Sequence, residues 1–225
     1  MFIKKEAEKL DRNIFEFENV IFDINGTIVN NRRFYRILLA VLIKFGFGTK
    51  DNNLFLPTGG IALPCWAKAL SRSSSLTKLV LKVDNVFLKI LKIIGTRNPE
   101  IFPAVDEVLK CLYNENKNIF ASTGGNTAVE KKCLEKLGIS KYFRLIIGSD
   151  IAPKHNHIQY FAKFVDMPVL EFAGKTCSIG DGPAELMIAS RYGIYGIGIT
   201  HTLDKVSLSR VGAKKVVSNF TELLQ

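Results

Sequence analysis

No CxxC pair occurs among the four cysteines, Cys65, Cys111, Cys133 and Cys177. Neither a zinc site nor a disulfide framework is indicated, and buried free thiols are the expectation. No apolar run approaches the ~20 residues of a membrane span; the longest, around 37–43, stops at Lys44. The opening MFIKKEAEKLDRN is polar and holds no secretory apolar core. Nothing in the composition indicates disorder or a repeat array. These absences point to a cytoplasmic globular protein with no membrane span. The 225 residues, 47% of them hydrophobic, suffice for one well-buried core and a modest insertion.

Acidic residues are scarce in one stretch. Residues 28–100 hold twelve Lys/Arg against three acids, a local charge of +9 within a chain total of +10. An excess of one sign concentrates ligands of the other, so an anionic partner is one reading and a solubilising surface is the other. No nucleic-acid-binding motif accompanies the charge. A small phosphorylated ligand is therefore expected in preference to nucleic acid.

Periodicity divides the chain. Residues 18–23, ENVIFD, read as a buried strand entering a turn. The next segment is helical in pattern, and its 76–94 stretch carries Lys78, Lys82, Lys89 and Lys92 on one face. Asn98-Pro99 breaks it. From Pro103 onward, strands at 118–122, 145–147, 176–179, 194–199 and 216–217 alternate with helices at 105–113, 127–137, 157–164 and 184–192. That alternation implies an α/β fold with a Rossmann-like, doubly wound parallel sheet. The expected core is 1–29 with 100–225, and 30–99 is an inserted α-helical cap.

In an open parallel sheet, ligands bind beyond the carboxyl ends of the strands. Three polar clusters fall there: Asp23-Ile24-Asn25-Gly26-Thr27, Ser122-Thr123-Gly124-Gly125, and Gly180-Asp181-Gly182-Pro183-Ala184-Glu185. Asp23 and Asp181 at one rim would repel, and ionising both in a dry site is costly. A Mg²⁺ ion, which takes oxygen ligands, would offset that repulsion.

FDINGT is similar to the first motif of the haloacid dehalogenase-like superfamily, an apolar strand followed by DxDGT. ASTGG resembles the second motif, Lys154 in SDIAPKHNH stands where the third-motif lysine is expected, and IGDGPAE resembles the fourth. The resemblance covers 18–29 and 100–225, and the 30–99 insertion sits where the phosphoglycolate-phosphatase-like branch carries its cap. It implies a Mg²⁺-dependent phosphatase acting on a small phosphorylated metabolite. Asp23 would be the nucleophile that forms an aspartyl-phosphate. The Asp23 carboxylate, the Asn25 backbone carbonyl and Asp181 would ligate the metal, with Glu185 holding a metal-bound water. Thr123, the Gly124 N–H and the Gly26 N–H would donate to the phosphoryl oxygens. Lys154 would neutralise developing charge and steady Asp23.

One position departs from that pattern. The usual acid/base Asp, two residues after the nucleophile, is Asn25 here. An amide cannot shuttle a proton near neutral pH, and general acid–base help is typically worth ~10²–10⁴-fold. Three readings stay open: a slow phosphatase, an enzyme for good leaving groups, or a catalytically impaired relative that binds a phosphorylated ligand or an acidic partner. From the turn alone, Asn25→Asp should raise hydrolysis of alkyl phosphates. Elsewhere, His155 and His157 read as a surface pair at a helix start, His201 as a loop residue and Trp66 as cap core. If the basic 28–100 segment steers an anionic substrate, kcat/KM should fall as salt rises, since exposed charges are screened over ~8 Å at physiological ionic strength. A flat salt dependence would return the lysines to a solubilising role.

Overall fold

The computed structural model describes residues 12–30 and 99–225. Apart from Asn30 and Pro99, the expected cap lies outside the described residues, including Trp66 and the helix expected over 76–94. Among the described residues, β1 (Asn19–Asp23) is followed by α1 (Val105–Asn114) and β2 (Asn118–Ser122). There follow α2 (Thr127–Lys136), β3 (Leu145–Ile147), α3 (His157–Phe164), α4 (Val169–Gly174) and β4 (Thr176–Gly180). The chain closes with α5 (Pro183–Tyr192), β5 (Tyr195–Ile199), α6 (Lys205–Arg210) and β6 (Lys215–Val217). The six strands form one sheet in the order β3-β2-β1-β4-β5-β6, and every neighbouring pair is parallel. This is the doubly wound α/β sheet that the alternation implied.

The sheet is covered on both faces, so β1 is buried along its whole length. Val20 and Phe22 pack with Val105, Val108, Leu109 and Leu112 of α1. Ile21 points the other way, into a cluster with Phe120, Phe161 and Phe172. Strands buried on both faces carry continuous apolar runs rather than alternation, which is how ENVIFD reads. In α1 the buried residues recur at i, i+3, i+4 and i+7, the spacing of one helix face. The Asn126 side chain accepts from the Ala128 and Val129 N–H groups and starts α2. Gly193, at φ 76°, ends α5 in the left-handed region.

Two helices escape the sequence pattern. α4 follows Pro168, and α6 is capped by Asp204, whose side chain accepts from the Ser207 N–H. Each has only six residues, too few for a helical period to stand out. Cys133 and Cys177 are buried free thiols and Cys111 is half-buried. No helix among the described residues is long and apolar enough to cross a membrane.

The register decides what meets at the sheet's rim. Asp23 pairs with Ser122 across β1 and β2, and Phe22 pairs with Ile179 across β1 and β4. The loops after β1, β2 and β4 are therefore neighbours, at the place where the strand order reverses. Phe120, fully buried on β2, stacks on Phe161 with ring centroids 4.8 Å apart. Phe120→Ala should cost ~3–5 kcal/mol of stability, the usual range for a buried Phe truncated to Ala. Urea unfolding checks it, and a loss under ~1 kcal/mol would contradict this packing.

Candidate active site

The turn after β1 depends on a glycine. Gly26 has φ 88°, and a Cβ there would lie 2.4 Å from Asp181 Oδ2. Both the backbone conformation and the close approach exclude a side chain. The Gly26 N–H, expected on a phosphoryl oxygen, instead donates to the Val29 carbonyl at 3.0 Å. Gly26 therefore shapes the turn, and its N–H is already engaged.

Asp23, Lys154, Asp181 and Glu185 are charged side chains buried beside this turn. Lys154 Nζ lies 2.6 Å from Asp23 Oδ1 and also pairs with Glu185. The Thr27 hydroxyl donates to Asp181 Oδ1 at 2.9 Å, with Asp23 Oδ2 at 3.3 Å. Its oxygen accepts from the Asp181 N–H at 3.1 Å. Thr202, which no sequence signal marked, donates to Asp181 Oδ2. Burial, and then the charge of Asp23, push the Asp181 carboxyl up to about 6.

At the end of β2, Thr123 Oγ1 accepts from the Gly125 N–H at 3.0 Å and lies 3.4 Å from Asn25 Nδ2. A hydroxyl has two acceptor sites and one proton, so the Thr123 proton can serve a ligand. Gly124 beside it is half-buried. Asn25 Nδ2 also donates to Glu130 Oε1 at 2.9 Å. Glu130 is buried on α2, and sequence reasoning did not find it. An acid in the first turn of a helix is ordinarily explained by the helix dipole.

The loop after β3 delivers Lys154. Ser149 Oγ donates to the Gly124 carbonyl at 2.7 Å, and Asp150 accepts from the Thr127 N–H and hydroxyl at 2.7 and 2.8 Å. His155 is exposed, but His157 is fully buried, contrary to the expected surface pair. A carbonyl can only accept, so His157 Nε2–H donates to Ala152 O at 2.9 Å. Nδ1 then accepts from the Ser122 hydroxyl at 2.9 Å, and burial lowers the ring's pKa. This neutral imidazole ties the Lys154 loop to the end of β2. His201 is likewise more than a loop residue: its ring stacks on Phe102 at 3.6 Å, and Nδ1 donates to the Gly26 carbonyl at 3.0 Å.

Asp23, Asp181, Glu185 and the Asn25 carbonyl are hard oxygen donors. Among the described residues, no three His, Cys, Asp or Glu side chains converge closely enough to hold a metal by themselves. Mg²⁺ does not require that, since it keeps several waters and takes one or two carboxylates. Glu185 Oε2 is buried with no hydrogen-bond partner among the described residues, an acceptor that a metal-bound water would satisfy. The donor set thus fits a hard divalent cation.

The profile of haloacid dehalogenase-like hydrolases matches residues 20–199 of the chain. The probable phosphatase IndB of Dickeya dadantii is 24% identical over 213 residues, covering 91% of each chain. A 5'-nucleotidase of Pseudomonas aeruginosa is 20% identical over 186 residues, 81% of this chain and 82% of its own. Among solved structures, a haloacid dehalogenase-like family hydrolase from Streptococcus pneumoniae superposes with a TM-score of 0.76 at 19% identity. That match covers 93% of this chain and 97% of the other.

The raised Asp181 pKa has a stability consequence in metal-free protein. With the carboxyl moved from 3.8 to about 6, the native state holds an extra proton between those values, so Asp181's contribution to stability falls as pH rises through that window. Thermal melts in chelator should show wild type losing ground to Asp181→Asn from about pH 4 to about pH 6. A difference that stays flat would contradict the buried, repelled carboxyl.

Proposed function

Because the chain belongs to the haloacid dehalogenase-like hydrolase family, we propose that it hydrolyses phosphoric monoesters of a small metabolite through an aspartyl-phosphate on Asp23. The observation that carries this reading is the buried bridge of Lys154 between Asp23 and Glu185, with Asp181 joined to Asp23 through Thr27. The names of the Dickeya and Pseudomonas relatives support the phosphomonoester class.

In this mechanism an Asp23 carboxylate oxygen attacks phosphorus, and the bond from phosphorus to the ester oxygen breaks. The leaving oxygen takes its proton from water, because Asn25 has none to give. Water then attacks the aspartyl-phosphate, releasing inorganic phosphate and the free carboxylate. Lys154 holds Asp23 in place and counters charge that grows on the phosphoryl oxygens. The Thr123 proton and the Gly124 N–H complete their hydrogen bonds. Asp23, the Asn25 carbonyl and Asp181 would hold Mg²⁺, with Glu185 acting through a water. Bound there, the ion would offset carboxylate repulsion and draw the phosphoryl group toward Asp23. We assign substrate choice to the 30–99 segment as a cap over a core of 1–29 and 100–225.

Asn25 favours a second reading, a relative that binds a phosphorylated ligand and Mg²⁺ without turnover. A screen of phosphorylated metabolites with and without Mg²⁺ separates the two. Turnover should require the metal, and acid quench should trap a phosphoryl adduct on the peptide containing Asp23. Asp23→Asn should abolish adduct and turnover, and Lys154→Ala should lower kcat by ~10²–10³-fold, as for loss of a preorganised donor. Phosphate analogues that bind with Mg²⁺ while no substrate turns over would establish the binding reading instead.

A further inference from the structure

We propose that Glu130 is a positioning residue for Asn25, and that the amide at 25 is the side chain Glu130 requires there. The inference rests on the phosphotransfer reading of the site. Asn25 Nδ2 donates to Glu130 Oε1 at 2.9 Å and lies 3.4 Å from Thr123 Oγ1. The same Glu130 oxygen crowds Gly125, where a Cβ would come within 2.2 Å of it. Glu130 is only 4% exposed. A buried carboxylate from α2 thus sits between the β1 turn and the Thr123 loop, 105 residues from Asn25 in sequence.

The contact settles how the amide is turned. A carboxylate only accepts hydrogen bonds, so the Asn25 nitrogen must face Glu130, and Oδ1 must point away as an acceptor. A flipped amide would put a donor where this acceptor stands. An Asp at 25, a half-buried position, would instead press its carboxylate oxygen against the buried one of Glu130, and like charges that close cannot both ionise readily. Asn25 is therefore matched to Glu130 and is more than a lost acid. The converse pair also satisfies the geometry: an Asp at 25 would accept from a Gln amide at 130. The expectation drawn from the turn alone changes accordingly. Asn25→Asp by itself should not raise alkyl phosphate hydrolysis, whereas the exchanged double variant should.

The test is a cycle of wild type, Asn25→Asp, Glu130→Gln and the double variant, with Glu130→Ala alongside. Each is assayed with Mg²⁺ on p-nitrophenyl phosphate and glycerol phosphate, and each is melted in chelator. Glu130→Ala should lower kcat by ~10–100-fold with KM little changed, the scale of a misplaced catalytic group. Glu130→Gln keeps an acceptor but adds a donor, so its kcat should fall between those of wild type and Glu130→Ala. Asn25→Asp should lose both activity and melting temperature. The double variant should recover the melting temperature and exceed Asn25→Asp by at least ~10-fold on glycerol phosphate, a modest share of what general acid catalysis supplies. Effects that simply add, in rates and in melting temperatures, would overturn the proposal. The melting cycle needs no turnover. Coupled melting in a wild type inert toward every phosphate would support the pairing and sink only the hydrolase reading.

Discussion

The burial of one lysine among carboxylates organises the rim of this sheet. Lys154 is pulled out of water by Asp23 and Glu185, two groups that would each be costly to bury alone. Removing one partner of such a pair leaves an uncompensated charge, so the cluster holds only if its members arrive together. The loop that carries Lys154 is accordingly fastened at several points. Ser149 and Asp150 clamp it to the Thr123 loop, and His157 pins it to Ser122 through Ala152. In the proposed mechanism, a charge placed this way would meet the phosphoryl group with little reorganisation left to do.

Sheet topology brings the members together. β1 lies between β2 and β4, so the residues that follow these strands share one crevice although long stretches of chain separate them. Closeness there is obtained by removing side chains. Gly26 lets the β1 turn pass against Asp181, and Gly148 lets the β3 loop meet the Gly125 carbonyl, where a Cβ would come within 2.4 Å. The same compactness leaves Asp181 repelled by Asp23 and Glu185 Oε2 without a partner among the described residues. A rim that is strained electrostatically in this way is suited to a divalent cation.

Asn25 shows how a local motif can mislead. Seen in the turn, it is an acid replaced by an amide. Seen against Glu130 and Thr123, it is one partner in a hydrogen-bonded set whose carboxylate sits on another element. The carboxylate nearest the Asn25 amide is thus carried by α2 and not by the turn itself.

The sequence by itself determined the doubly wound sheet, because apolar strand runs and helical periodicity are local properties of neighbouring residues. Strands 118–122 and 145–147 and helix 157–164 were legible to the residue. So were the strand-end positions of Asp23, Thr123 and Asp181, which follow from where each apolar run stops. The six-residue helices α4 and α6 were not legible, since so few residues display no period. Tertiary structure alone decided that His157 is buried and neutral, that His201 braces the Gly26 carbonyl, and that Thr202 and Glu130 belong to the site. It also engaged the Gly26 N–H within its own turn. Each of these depends on where a side chain or backbone group finds its partner once the strands are in register. For Asn25 and Glu130 that partner lies 105 residues away, a distance across which local pattern carries no information.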